Sequence, residues 1–285
     1  MNKNKLTAAG KKVKLVVSDI DGTLLNSDKD ITKANREAIQ RAREQNILFT
    51  LCTGRIVTML EYYINTLEIA TPIIAANGAI IWDPKTGKPA YEISMDSDEV
   101  KGILEICKFY QMDYCALTLE TSYFSKNSVR VKHFQGYNNI AKANGVTEIR
   151  LETFDDSHHC INDLKIYKIL IYDAVSRRIN VIEDFIKTLK KTGYTSSDSG
   201  LLDISEVQVN KGFGIKKLAG ILGLQPDEVC AVGDYKNDIP MLTFAGFPVA
   251  MGNACRELKD HAIFVTKTND ESGVAWMMEN YILRK

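Results

Sequence analysis

Two aspartates one residue apart, Asp19 and Asp21, follow directly on an apolar run in the stretch LVVSDIDGTL, residues 15–24. Carboxylates this close repel one another unless a cation, a proton or a polar turn accommodates them. Residues 15–18 read as a short buried strand, which delivers both aspartates to its carboxyl end, where open parallel sheets place their ligand crevices. The same residues also suit a plain turn at Asp21-Gly22 with Asp19 as a cap.

Three further apolar runs end in the same manner. Residues 47–52 (ILFTLC) run into Thr53-Gly54-Arg55, residues 72–76 (PIIAA) close on Asn77-Gly78, and residues 228–232 (EVCAV) lead into Gly233-Asp234 with Asn237 and Asp238 just beyond. Lys211 stands at the start of a helical pattern. A parallel sheet would bring all these groups to one edge. Asp19, Asp21, Asp234 and Asp238 cannot all stay ionised in one crevice without a cation, and hard oxygen ligands there select Mg²⁺, which keeps some waters and binds substrate phosphate.

The elements that must position these groups alternate. Residues 31–45 and 56–67 have helical apolar spacing between the strands, the βαβ pattern of a doubly wound α/β fold with a parallel sheet. Asp83-Pro84-Lys85-Thr86-Gly87-Lys88-Pro89 is the best linker, and the texture changes beyond it. Helical patterns at 98–110, 129–144 and 175–190 are mixed with strand patterns at 114–119, 122–124, 165–172, 193–197 and 201–207. The last two pair around Asp198-Ser199-Gly200. From Lys211 the first texture returns. The simplest architecture is a discontinuous α/β domain, 1–83 and 207–285, interrupted by an α+β domain, 84–206.

Composition narrows the class. The 285 residues carry 36 basic and 36 acidic side chains, so net charge offers no case for nucleic acid or a membrane surface. No stretch approaches the roughly 20 apolar residues of a membrane span. Lys3, Lys5, Lys11 and Lys12 surround no apolar run of signal-peptide length and read as a solvated tail. Six scattered cysteines without a C-x-x-C pair read as small hydrophobes in a reducing compartment, which places the protein in the cytoplasm. His158-His159-Cys160 reads as a polar loop, because no second pair at matching spacing completes a metal site. Phe109, Tyr110, Tyr114, Tyr123, Phe124 and Phe134 read as core of the inserted domain.

DIDGTL, TGR, the lysine of VNKGFGI and GDYKND, in that order, resemble the four signature motifs of the haloacid dehalogenase superfamily of phosphotransferases. The position and element order of the insert resemble the type IIB cap of the Cof-like sugar phosphatases. The likeness spans essentially all of the chain after its basic start. It implies a Rossmann-like core with a cap that selects the substrate, a monomer or weak homodimer, and Mg²⁺-dependent hydrolysis of a small phosphorylated metabolite, a sugar or polyol phosphate, through an aspartyl-phosphate. In that scheme Asp19 is the nucleophile, Asp21 the general acid and then base, and Lys211 offsets charge on the phosphoryl group. Thr53, Gly54 at a helix start, Asn237, Arg55 and Asn77 are the phosphate-side candidates. The resemblance assigns the metal to Asp19, Asp234 and the main-chain carbonyl of Asp21, with Asp238 near it or, preferably, orienting Lys211. One departure is Asn210, where a serine or threonine usually precedes the lysine. A phosphomutase of related fold is the competing enzyme. A vestigial sugar-phosphate binding protein is the competing non-enzyme, against which the joint presence of Asp19, Asp21, Lys211 and Asp234 speaks.

Overall fold

The computed structural model describes residues 3–155, 160–173, 176–198 and 201–284. Contacts divide the chain into two compact units: Met1–Gly54, Leu67–Ala90 and Asn210–Lys285 form one, Arg55–Thr66 and Tyr91–Val209 the other. The boundaries differ from the sequence-based ones chiefly at Arg55–Thr66, which belongs with the inserted unit.

The first unit is built on a five-stranded parallel sheet. Leu15–Ser18 lies at its centre between Leu48–Leu51 and Val229–Gly233, followed outward by Phe247–Ala250 and Phe264–Val265. Leu15 is in register with both Leu48 and Val229, so the strands end level with one another. Every residue of the central strand is buried, which is why it reads as a continuous apolar run and not an alternating one. An isolated parallel bridge, Cys52 to Ile74, ties in Ile73–Ala75. That strand turns back antiparallel into Ile80–Asp83 through Ala76, Asn77 and Gly78, all at positive φ.

Two expectations for this unit change. The segment 83–89 is a turn followed by the strand Lys88–Glu92 rather than a linker. Pro89 is tolerated there because that strand lies at the edge of a three-stranded sheet, where a missing N–H breaks no ladder. The basic start is not a solvated tail either. Lys3–Gly10 is a helix packed on the C-terminal segment Met278–Ile282, with Leu6 buried and Gly10 so close that a Cβ would sit 2.3 Å from the Tyr281 carbonyl oxygen.

The helix Lys211–Leu222 positions one site residue. Asn210 caps it, its Oδ1 accepting from the Phe213 N–H at 2.9 Å, so the amide does the work expected of a hydroxyl. Gly223 ends it at φ +68°. At Gly214 the helix meets the hairpin: an added Cβ would lie 2.4 Å from Ile74 Cγ2 and 2.8 Å from Gly78 Cα.

The second unit holds a six-stranded sheet in the order Thr192–Asp198, Leu201–Glu206, Lys168–Tyr172, Asp113–Leu117, Thr121–Phe124, Arg150–Thr153. All its pairings are antiparallel except the last. One face buries Tyr114, Ala116, Ile169, Ile171, Leu202 and Ile204 with Val100, Ile103, Leu104, Ile182 and Ile186 from the helices Ser97–Phe109 and Ser176–Ile186. On the other face Cys115, Leu117, Phe124 and Leu170 pack with Phe134 of the helix Val131–Ala143 and with Ile56 and Met59. Those last two contacts assign Arg55–Thr66 to this unit. Tyr114, Tyr123, Phe124 and Phe134 are core as expected, whereas Phe109 is 81% exposed and Tyr110 lies at the surface past the helix end. His158, His159, Ser199 and Gly200 fall outside the described residues. All six cysteines are unpaired by disulfides; Cys160 is exposed and Cys255 half-buried, the other four buried.

Gly214→Ala should cost about 1–3 kcal/mol, because backbone and Ile74 must both give way. Gly220→Ala, on the same helix with nothing within 4 Å of its Cβ, should instead add about 0.5–1 kcal/mol. Urea denaturation midpoints of the two variants would move in opposite directions if the close approach is real.

Candidate active site

The level strand ends bring Asp19, Thr53, Asn77 and Asp234 to one edge of the first unit. Backbone hydrogen bonds stitch that edge together: Asp19 N donates to Val232 O at 3.0 Å, Cys52 N to Ser18 O at 2.9 Å, Thr53 N to Ile74 O at 2.9 Å, and Asn77 N to Thr53 O at 2.9 Å. Asp21 lies in a tight turn, Ile20–Leu24, whose helical geometry is broken at Asp21 and at Gly22, φ +77°. Glycine is required at that second position. Besides its positive φ, a Cβ on Gly22 would lie 2.4 Å from Asp234 Oδ2.

Lys211 is the centre of the charged network. Its ammonium donates to Asp19 Oδ1 at 2.6 Å and to Asp238 Oδ1 at 2.5 Å, with all three side chains buried. Burial pulls the lysine pKa down, and the charges of Asp19 and Asp238 more than reverse it, so the ammonium stays protonated. The Asp19 pKa is raised as well, but here burial is the main cause of the rise, Lys211 opposes it, and Asp238 and Asp234 add to it. Asp234 is pushed up to about 6 by burial and then by Asp238, with the hydroxyl of Thr23, which donates to Asp234 Oδ1 at 3.0 Å, acting against the rise.

Asp19, Asp234 and Asp238 each offer a carboxylate oxygen within 4.8 Å of the others. Three carboxylates against one ammonium leave the crevice short of positive charge, and oxygen donors of this kind suit a hard divalent cation. Asp238 is the exception within the set. Its Oδ1 is taken by Lys211, and its Oδ2 accepts the N–H groups of Asp234 at 2.9 Å and Tyr235 at 3.1 Å. These bonds set Asp238 against Lys211 and the Asp234 loop, the arrangement expected of a residue that orients the lysine. Asp21 contributes no side chain to the cluster; its carboxylate is 46% exposed, 3.9 Å from the Lys29 ammonium.

Other expected residues are placed differently from one another. Thr53 is buried and Gly54 half-buried. Gly54 does not open a helix, since a three-residue turn, Val57–Met59, and only then a short helix, Glu61–Thr66, follow it. The helix-dipole argument for Gly54 therefore fails, because the dipole effect reaches only the first turn of a formed helix. Arg55 belongs to the second unit, its guanidinium stacked over the rings of Tyr63 at 5.0 Å and Tyr137 at 4.9 Å, a cation–π arrangement that sequence spacing did not suggest. Asn237 lies half-buried in the turn Lys236–Asp238.

One polar segment at the same edge was missed. The strand Phe247–Ala250 leads into Met251-Gly252-Asn253, and Asn253 Nδ2 donates to the Gly22 carbonyl at 2.8 Å. The signal was present, since a Gly-Asn pair after an apolar run is the same punctuation as at Asn77-Gly78.

Replacing Lys211 with methionine should leave Asp19 and Asp238 buried without their counter-charge, costing about 3–5 kcal/mol in chelator at pH 8. Without the ammonium, the burial that raises the Asp19 pKa is no longer opposed, so that carboxyl takes up a proton on folding and the loss should shrink as pH falls towards 5. Chemical denaturation at the two pH values measures it.

A model of the haloacid dehalogenase-like hydrolases matches residues 16–278 of the chain. Among curated proteins, the chain is 33% identical to the 5-amino-6-(5-phospho-D-ribitylamino)uracil phosphatase YwtE of Bacillus subtilis, over 95% of this chain and 98% of that one. It is 29% identical to Phosphatase YwpJ of the same organism, over 95% and 100%. Among solved structures, a haloacid dehalogenase-like hydrolase from Bacteroides thetaiotaomicron superposes with a TM-score of 0.81 at 28% identity, covering 94% of this chain and 98% of that one. With four motif segments gathered on one sheet edge around a buried lysine, the chain belongs to the haloacid dehalogenase-like hydrolases and is a Cof-like phosphatase.

Proposed function

We propose that the protein is a Mg²⁺-dependent phosphomonoesterase that hydrolyses a small polyol or sugar phosphate through an aspartyl-phosphate. The observation that carries this reading is Lys211 held between Asp19 and Asp238 beside Asp234. It supports a nucleophile with a fixed cation at its side and an acidic cleft on the other. Asp19, Asp234 and the main-chain carbonyl of Asp21 would hold Mg²⁺, which supplies charge neutralisation for the phosphoryl oxygens and for Asp19 when bound.

Asp19 then attacks phosphorus in line, a P–O bond to the carboxylate forms, and the bond to the departing alcohol breaks. Asp21, in its more exposed setting, donates its proton to the leaving oxygen. The same carboxylate next takes a proton from water, which attacks phosphorus and frees Asp19 and inorganic phosphate. Lys211 offsets charge on the transferring group. Thr53, through its hydroxyl, and the polar groups of Gly54, Asn77 and Asn237 orient the phosphoryl oxygens. Residues of the inserted unit select the leaving alcohol. Curated relatives at 33% and 28% identity are named as phosphatases of 5-amino-6-(5-phospho-D-ribitylamino)uracil, which supports a phosphorylated ribityl chain, a polyol phosphate, as the substrate chemistry here.

The test is phosphate release from a panel of sugar and polyol phosphates that includes this ribitylaminouracil. Turnover should need Mg²⁺, vanish in EDTA, and fall by at least about 10³-fold in Asp19→Asn. Transfer of phosphate between positions of one sugar would replace hydrolysis by mutase activity, and tight binding without turnover would point to a vestigial site. In thermal melts of the protein without substrate, Mg²⁺ at 100 times its Kd should stabilise the wild type by about 2.7 kcal/mol and leave Asp234→Asn unmoved.

A further inference from the structure

The turn that carries Asp21 is held from outside by three asparagine side chains. Asn253 Nδ2 donates to Gly22 O at 2.8 Å, Asn35 Nδ2 to Leu24 O at 3.0 Å, and Asn269 Nδ2 to Leu25 O at 3.0 Å. The broken geometry at Asp21 and Gly22 interrupts the helical pattern within the turn, and side-chain amides bind the Gly22 and Leu24 carbonyls and that of Leu25 just past its end. Two of these residues are coupled, since the backbone N–H of Asn269 donates to Asn253 Oδ1 at 3.0 Å. The segment of Asn253 is anchored on its other side as well: Met251 N donates to Gly233 O at 3.0 Å and Cys255 N to Asp234 O at 2.9 Å. One short loop, 251–255, thus binds both the Asp21 turn and the Asp234 loop.

Of the three contacts, the one from Asn253 bears most directly on Asp21. Gly22 has no side chain to restrict its own φ and ψ, so a hydrogen bond to its carbonyl helps to fix the orientation of the turn, beside the Thr23–Asp234 bond. The backbone matters more for Asp21 than for Asp19, because the Asp21 side chain is 46% exposed and that of Asp19 only 8%. A carboxyl gripped less by packing takes its direction from the chain that carries it.

We propose that Asn253 is a positioning residue for proton transfer by Asp21: it fixes the Gly22 carbonyl and through it the direction in which the Asp21 carboxyl leaves the turn. This rests on Asp21 as the proton donor, and the experiment separates the two claims. Asn253 is exposed, so Asn253→Ala and Asn253→Asp leave the core intact. The aspartate variant keeps an acceptor for the Asn269 N–H but has no donor for Gly22.

The readout is kcat/KM for two substrates of the full-length protein, p-nitrophenyl phosphate and whichever alkyl monoester of the panel the wild type hydrolyses best. This constant covers steps up to release of the alcohol. An alkoxide needs a proton on leaving, whereas p-nitrophenolate does not. Both variants should lose at least about 10-fold on the alkyl ester and less than about 3-fold on the aryl ester, with melting temperatures within about 3 °C of the wild type. Equal losses on both esters, no loss on either, or an aspartate variant that behaves as wild type would overturn the role of Asn253. Asp21→Asn run alongside tests the underlying reading: if it too lowers both esters equally, Asp21 is not the acid and the fault lies there rather than with Asn253.

Discussion

The buried ion triad of Lys211 with Asp19 and Asp238 is the constraint on which the rest of the first unit depends. An ammonium removed from water is tolerable only against carboxylates in good geometry, and removing one partner from such a set leaves an uncompensated buried charge. The three residues lie 192 and 27 positions apart in the chain, so the triad can form only after the fold has brought their segments together. Local structure serves that end. The Asn210 cap starts the helix at the lysine, Gly78 and Gly214 let the helix lie against the hairpin, and Gly233, whose Cβ would fall 2.5 Å from the Asp238 carboxyl carbon, lets that carboxylate fold back over its own loop.

Asp238 shows how one side chain shapes a site through its neighbours. One of its oxygens neutralises Lys211 and the other collects two backbone N–H groups from the Asp234 loop. The loop's direction and the lysine's charge are therefore set by the same group. Asp234 is held separately, by the hydroxyl of Thr23, which belongs to the turn carrying Asp21. The two motif segments thus fix each other, and the acidic surface they leave is the part of the site still in need of positive charge.

Much of this was legible in the sequence, and for a physical reason. Strands buried on both faces must be apolar throughout, and polar groups can appear only where they end, so a run such as residues 15–18 followed by Asp19 announces both strand and site. What escaped was what periodicity does not encode. Arg55–Thr66 carries an ordinary amphipathic pattern, and only its contacts, Ile56 and Met59 against Phe124 and Phe134, reveal which core it joins. The helix Lys3–Gly10 looked like a charged tail because a single buried leucine and a close-packed glycine anchor it. Phe109 is exposed at a helix end despite its apolar character, and nothing in the structure explains its placement. One asparagine in a turn, such as Asn253, is commonplace in a sequence. Its meaning comes from the carbonyl it meets 231 residues earlier in the chain.

Asp19 and Asp21, which began as two carboxylates too close to be comfortable, differ most in their surroundings. Asp19 is nearly inaccessible and bonded to a buried ammonium, while Asp21 sits in a turn near solvent with Lys29 at 3.9 Å. A covalent nucleophile and an acid–base group need opposite protonation states at the same moment, and two identical side chains can supply both only if their environments differ. A spacing of two residues brings both to the same strand end, and the kink at Asp21 and Gly22 separates their environments. On the proposed reading, the division of labour is therefore decided less by the aspartates than by the glycine between Asp21 and Thr23 and by the groups that hold its carbonyl. A turn whose geometry is set from outside in this way can carry a proton donor without burying it, which keeps the carboxyl within reach of water in the second half of the reaction.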